Sequence, residues 1–369
     1  MSVKLQKKGH IDYPERVPNG WRVATSDKWL INNEDPGDRS VFDIANWKLE
    51  VYGDVENPFS LTYEEFQKLP HVTRTLDHHC IDGWSFLGQV WNGVEMAVVI
   101  ERAKVSPAAR YVLVEGAGGV SQSFPIEDEL FLADGQNNSE LPRPAGYPLR
   151  IVAPGQFGNR SVKWVRKIKF TKERETDSRD QKYMACGVYD LYLSGLRDHD
   201  PWTVDNNLRK EFLRKLFAAN TDVRRRKRRE EHLRSGKATQ FPSTPNGQEI
   251  ALCRVDELKE DGPPSKFVVN GYEILVLKTN DGIYAIEPMC THHGTDLSKG
   301  KLNLDAKTIR CPLHGAYFDL ASGKCLLGSN GCDGDAFPNA RLYRFRVESG
   351  TILVSKQQEW GSLNQVATP

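Results

Sequence analysis

Short apolar runs bounded by turn residues recur along the first two hundred positions. Those at Trp47–Val55, Arg110–Glu115 and Pro148–Ala153 read as strands, and Thr62 with Glu65, ahead of Phe66 and Leu69, forms a capping box that starts a helix. Strands and helices alternate irregularly, which predicts an α+β domain over residues 1–204. Between 205 and 248 the pattern changes to a highly charged, helix-biased stretch ending at Gly236. The segment Phe241–Gln248 that follows is rich in turn residues, so a charged helical connector and linker are expected there. From Glu249, short β-rich runs at Lys266–Asn270, Glu273–Lys278, Leu342–Val347 and Thr351–Val354 alternate with Gly and Asp turns, predicting a small all-β domain over 249–369. Apolar runs such as Val94–Ile100 fall far short of the roughly 20 residues of a spanning helix. No membrane partner is expected.

Composition narrows this picture. A chain of 369 residues is too long for one stapled module, and 39% hydrophobic with 27% charged residues fits a globular protein. With 50 Lys+Arg against 49 Asp+Glu the total charge points to no nucleic-acid partner. Yet six consecutive basic residues, Arg224 to Arg229, sit on the connector, leaving 44 basic against 49 acidic residues elsewhere. That block reads as a docking face for an acidic redox partner or nucleic acid, or as a solvated helix face balanced by Glu230 and Glu231; the solvated face is the expectation. The start carries lysines without an apolar h-region, which points to the cytoplasm. Seven cysteines cannot all pair, so some must be free, buried or bound to metal.

The chemistry concentrates in two places. Cys290-Thr-His292-His293-Gly294 and Cys311-Pro-Leu-His314-Gly315 supply two thiolates and two imidazoles, separated by eighteen residues between His292 and Cys311. This donor set suits tetrahedral zinc or an iron–sulfur cluster. A Rieske centre takes Cys₂ on one iron and His₂ on the other, and the glycine after each ligand segment lets the backbone turn near the sulfurs. Residues 249 to about 356 resemble Rieske ferredoxin domains, down to Cys311–Gly323. The resemblance implies a [2Fe-2S] cluster on Cys290, His292, Cys311 and His314, with His293 an exposed neighbour. Thr295 and Leu313 stand where high-potential members carry a disulfide, and Ala316 and Phe318 where they carry hydroxyl donors. The expected potential is therefore at the low end of the roughly −150 to +300 mV range.

The second place is Cys80, within TRTLDHHCIDGWSFLGQVW, Thr73 to Trp91. A lone cysteine is ordinarily a small buried hydrophobe, but a metal site would hold it as thiolate, with His78, His79, Arg74 and nearby tryptophans around it. Further on, Gly146–Gly155 and Gly158–Trp164 carry Arg150 and Lys163 on glycine-bearing turns, as a phosphate or pterin anion requires. These three segments resemble the sulfite oxidase superfamily of molybdopterin enzymes over about residues 15 to 200, in particular its bacterial sulfite-oxidase-like and protein-methionine-sulfoxide-reductase branches. The resemblance implies Cys80 as the molybdenum ligand and Arg150, Ser161, Val162 and Lys163 as pterin-phosphate contacts, with Asn32 and Asn33 as further pterin contacts. Where sulfite oxidases place an arginine just after the cysteine, this chain has Ile81, Asp82, Gly83, Trp84 and Ser85.

The expected function is a molybdenum-cofactor oxidoreductase performing oxygen-atom transfer. A Rieske cluster relays electrons from an external ferredoxin or flavoprotein reductase, because the glycine runs at Gly116–Gly119 and Gly294–Gly300 fit no nucleotide-binding motif. The favoured direction is reduction of a small-molecule S-oxide, N-oxide or related oxo substrate; the same-fold alternative is sulfite oxidation. Other classes are a Rieske-dependent iron oxygenase drawing on His71, Asp77, His78, His79 and Asp82, and a non-enzymatic electron carrier. The sequence leaves substrate, redox partner and oligomeric state open.

Overall fold

The computed structural model describes residues 16–18, 21–23, 39–197, 201–235 and 249–355. The linker Phe241–Gln248, Asn32 and Asn33 lie outside them. The chain divides into two compact units, the first running to Arg209 and the second beginning at Lys210.

The first unit holds two mixed sheets. One, of five strands, is ordered Phe59–Thr62, Lys48–Gly53, Val165–Thr171, Tyr111–Gly116, Ser121–Pro125. Alternation along Lys48–Gly53 sends Leu49 and Val51 inward, both fully buried against Val114, Ile168 and Phe170. The predicted capping box forms at Thr62: its hydroxyl accepts from the Glu65 amide and the Glu65 carboxylate accepts from the Thr62 amide, so the helix Tyr63–Gln67 starts there and buries Phe66. The second sheet has six strands and contains the hairpin Val72–Cys80 and Trp84–Glu95, with Phe131–Gln136 and Arg150–Val152 beyond it. Its core gathers Trp91, Phe131, Ala133 and Tyr147. This is the expected α+β architecture.

From Glu249 onward the second unit is built of short antiparallel sheets, the all-β domain expected there. The strands Ser265–Val269, Tyr272–Thr279 and Gly282–Ile286 form a meander whose inward residues Ile274, Val276, Ile283 and Ala285 pack with Phe345, Ile352 and Val354. The charged stretch forms one helix, Asn206–Arg234.

The basic block on this helix is not the solvated face expected from composition. Arg225 makes a two-pronged pair with Glu287 at 2.8 and 2.6 Å, and Arg228 reaches Glu273 at 3.0 Å. Arg226, Lys227 and Arg229 are exposed. The block is amphipathic in charge: neighbouring residues of a helix point to different sides, so two of the six cations, Arg225 and Arg228, meet acids of the β domain while three stay exposed. Those acids, not Glu230 and Glu231 alone, are its complement. With side-chain exposures of 15% and 9%, Arg225 and Glu287 are largely withdrawn from water. Glu287→Ala leaves the half-buried Arg225 only the exposed Asp222 at 2.8 Å as a partner and is expected to cost about 2 to 3 kcal/mol in urea unfolding, whereas Glu287→Leu combined with Arg225→Met recovers most of that loss.

Candidate metal and cofactor centres

In the first unit, Cys80 ends one strand and Trp84 begins the next, and the two pair directly across the hairpin. Ile81, Asp82 and Gly83 make the turn, closed by the Gly83 amide donating to the Cys80 carbonyl at 2.9 Å. Gly83 has φ +100°, a conformation that disfavours any Cβ, and a Cβ there would also lie 3.0 Å from the Arg209 guanidinium. Cys80 thus sits half-buried at the tip of a tight hairpin rather than in the core, which removes the ordinary reading of a lone cysteine.

The register slips between Leu76 and His78 and so turns the two histidines to different surroundings. His79 is buried; its Nδ1 lies 2.8 Å from the Ser85 hydroxyl and its ring meets Trp202 edge-on at 4.5 Å. His78 lies directly on the backbone of Gly158, where a Cβ would stand 2.1 Å from its Nε2. Its surface is only partly covered, yet desolvation, then the charges of Arg150, His79 and Lys163, push its pKa well below the usual imidazole value. Both rings are therefore neutral at physiological pH; burial holds that of His79 down to about 4.

Arg150 is 1% exposed. Its guanidinium donates to the Ala145 carbonyl at 2.8 Å and stacks over Trp91 at 5.1 Å, and burial lowers its pKa to about 9. Gly146, at φ +119°, lets this strand approach the Ser161–Lys163 run: a Cβ would stand 3.0 Å from that of Arg150 and 3.2 Å from the Lys163 backbone. Ser161 is buried, its Oγ accepting from the Ala153 amide at 3.4 Å. Val162 turns its side chain into the core and gives its carbonyl to Ile151, while Lys163 stays half-buried. The structure thus brings Arg150, Lys163 and His78 into one electrostatic neighbourhood with Cys80 two residues from His78. Glycine-flanked backbone and two cations suit a phosphate-bearing pterin, and a thiolate suits its molybdenum.

Other candidates disperse. Arg74 pairs with Glu95 and Glu129, away from Cys80. His71 bonds Asp134, and Asp77 accepts from Arg16 and the Gly88 amide, so the acid and histidine set of an iron oxygenase does not converge. Arg209, which the linear sequence did not single out, is 3% exposed and donates to the Ile81 carbonyl at 2.8 Å. Its 128-residue separation from Ile81 leaves no local signal; only the glycine demanded at position 83 hints that something crowds that turn.

In the second unit the two Cys-His loops fold alike. The Cys290 amide donates to the Thr295 carbonyl and the Gly294 amide to the Cys290 carbonyl; Cys311 and Gly315 repeat both bonds with Ala316 and Cys311. Gly294 and Gly315 take φ of +77° and +73°, the turn that folds each loop back. The sulfurs of Cys290 and Cys311 are in hydrogen-bonding contact. The Cys290 thiol, the Leu313 and His314 amides and the Thr295 hydroxyl pull Cys311 down to about 6, so Cys311 is the readier thiolate. Rings of His292 and His314 lie 5.0 Å apart. His293 is half-buried rather than exposed, its ring 3.8 Å from that of His292. Thr295 supplies a hydroxyl donor the sequence did not announce. Paired sulfurs beside paired imidazoles fit the two-and-two donor set of a Rieske cluster. None of the seven cysteines is in a disulfide, Cys325 and Cys332 included.

A half-buried thiol beside a cationic, glycine-lined cradle, together with two matched Cys-His loops, defines a molybdopterin-dependent oxidoreductase carrying an iron–sulfur domain. Residues 37–179 match the family model of the oxidoreductase molybdopterin binding domain and residues 248–331 that of the Rieske [2Fe-2S] domain. The chain is 36% identical over 166 residues to the uncharacterized oxidoreductase YuiH of Bacillus subtilis, covering 44% of this chain and 82% of that protein. It is 32% identical over 155 residues to MsrP, the catalytic subunit of the protein-methionine-sulfoxide reductase of Campylobacter jejuni, covering 36% of this chain and 52% of that one. Against the NADPH nitrate reductase of Fusarium oxysporum it is 30% identical, over 36% of this chain and 18% of the relative. Among solved structures, the sulfane dehydrogenase SoxCD of Paracoccus pantotrophus aligns at a TM-score of 0.35 and 28% identity over 39% of this chain and 41% of that one. The chain belongs to the sulfite-oxidase-like molybdopterin enzymes and carries a Rieske domain in addition; it is an oxidoreductase using molybdopterin and a [2Fe-2S] cluster. It spans only about half the length of MsrP and less than a fifth of the nitrate reductase.

Gly158→Ala would drive a methyl group into His78 and is expected to cut molybdenum content about tenfold while iron content stays unchanged, as read by metal analysis of the purified chain.

Proposed function

We propose that this enzyme reduces an S-oxide, N-oxide or related oxo substrate at a molybdenum held by Cys80. Electrons enter through a cluster ligated by Cys290, His292, Cys311 and His314, from an external ferredoxin or flavoprotein reductase of the cytoplasm. Arg150, Ser161, Val162 and Lys163 hold the pterin phosphate, Val162 through its backbone since its side chain is committed to the core. The observation that carries the direction is the make-up of the Cys80 turn. Ile81–Ser85 contribute no cationic side chain, and Trp84, paired directly with Cys80, and His78, whose ring lies 6.2 Å from that of Trp84, add neutral rings on the same side of the hairpin. A neutral, polarised S–O or N–O group fits such a wall better than a sulfite dianion. The likeness to a protein-methionine-sulfoxide reductase subunit supports the same class.

When bound, molybdopterin supplies a two-electron oxygen acceptor and the [2Fe-2S] cluster passes those electrons singly. Reduction of a sulfoxide consumes two electrons and two protons and yields the thioether and water. The protein's share is orientation: the hairpin, closed by the Gly83 amide on the Cys80 carbonyl, fixes the Cys80 thiol. Sulfite oxidation is kept as the second reading by Arg209, whose guanidinium lies against the Cys80–Gly83 turn.

Dithionite-reduced enzyme is expected to regain its oxidised Rieske absorption on adding methionine sulfoxide or trimethylamine N-oxide, and the oxidised enzyme to stay unbleached by sulfite. Bleaching by sulfite reverses the direction. Metal analysis is expected to find about one molybdenum and two irons per chain. Cys80→Ser lowers reoxidation by more than about 100-fold with the Rieske spectrum retained.

A further inference from the structure

The helix Asn206–Arg234 does more than precede the β domain. Four of its residues, Phe217, Thr221, Arg224 and Arg228, spaced to share one face, all meet the first Cys-His loop. Phe217 lies edge-on to His292 at 5.0 Å and stacks on Phe337, also at 5.0 Å. The fully buried Thr221 donates its hydroxyl to the Thr291 carbonyl at 2.9 Å. Arg224 donates to the His292 carbonyl at 3.1 Å, and Arg228 to the Gly294 carbonyl at 2.5 Å. Three carbonyls of the loop Thr291–Gly294 are therefore held by side chains of one helix.

The two arginines differ in charge balance. Arg228 is compensated by Glu273 at 3.0 Å, whereas Arg224 packs its side chain over Gly294, where a Cβ would stand 2.9 Å from Cδ. The second loop has a similar neighbour, since a Cβ on Gly315 would meet the exposed Arg310 at 3.0 Å. Arg224 is more enclosed, and charge–charge interactions strengthen as water is removed.

We infer that Arg224 is a potential-setting and positioning residue of the Rieske cluster, which it serves as a fixed positive charge delivered by the preceding helix. The inference rests on the assignment of Cys290, His292, Cys311 and His314 as ligands. One-electron reduction adds negative charge to the cluster, so a nearby guanidinium stabilises the reduced form and raises the midpoint potential. It thereby offsets the missing donors at Ala316 and Phe318. The potential then lies above the value those two positions alone imply. Lysine can replace the charge but not the fork that binds the His292 carbonyl while covering Gly294.

The test is a redox titration of the full chain, followed by the Rieske electron paramagnetic resonance signal. Arg224→Gln is expected to shift the midpoint downward, Arg224→Lys to restore most of the shift, and Arg226→Gln, which removes the same charge from the exposed side, to shift it by less than half as much. An Arg224→Gln midpoint equal to that of Arg226→Gln overturns the inference. Should Arg224→Gln fail to retain a cluster, Arg228→Gln decides: a downward shift larger than that of Arg226→Gln supports the helix as the source of the field, and an equal shift or loss of the cluster there too leaves the helix a purely structural role and overturns it. Absence of a Rieske signal from the unsubstituted chain, or its persistence in His292→Ala, refutes the ligand assignment instead.

Discussion

A guanidinium set against backbone carbonyls recurs wherever this chain must hold a reactive loop. Arg209 takes the carbonyl after Cys80, Arg150 takes that of Ala145 beside the Lys163 run, and Arg224 and Arg228 take those of His292 and Gly294. A short loop that presents a metal ligand cannot close its own ladder, so its carbonyls need donors from elsewhere. Arginine offers five donors in a rigid fork and keeps its proton even when buried, so one side chain both ties the loop and leaves a positive charge behind it. Both cofactors are anionic or become more so on reduction. The interaction that shapes the loops thus also sets the electrostatic ground on which the cofactors work.

Glycine is the counterpart of that arrangement. At Gly83, Gly294 and Gly315 the backbone turns through a left-handed conformation, and at each the space a Cβ would fill is taken by an arginine side chain. The glycines at Gly146 and Gly158 do the same for other neighbours, admitting Lys163 and His78. Close approach of cation and backbone is possible at these points because the side chain is missing. Motif glycines in this chain are packing requirements as much as turn requirements.

The two units solve the problem of ligand placement differently. The β domain uses two loops of one design, each closed by the same pair of backbone bonds, so that sulfurs and imidazoles fall in matched pairs. The molybdopterin unit instead has its candidate thiol at a hairpin tip and the other candidate contacts on segments some 70 to 80 residues further along, at Arg150 and at Gly158–Lys163. Local repetition suits a compact cluster with four protein ligands; convergence from several strands suits a large cofactor that touches its protein at both ends.

Much of this was readable from the residues in order. Strand alternation at Lys48–Gly53, the Thr62 capping box, the Cys-His spacing and the Cys80 segment all act within a few positions, where local chemistry decides the outcome. The low-potential expectation for the Rieske loops also rests on local positions. It takes no account of Arg224, which donates to the His292 carbonyl from 66 positions before Cys290 in the chain. Likewise the six-residue basic block looked like a solvated face until Glu273 and Glu287 were brought against it. The candidate ligands are picked out by residue type and short spacing, which the sequence states by itself. The field around those ligands depends on which distant charges fold beside them and how much water is excluded, and only the tertiary structure decides that.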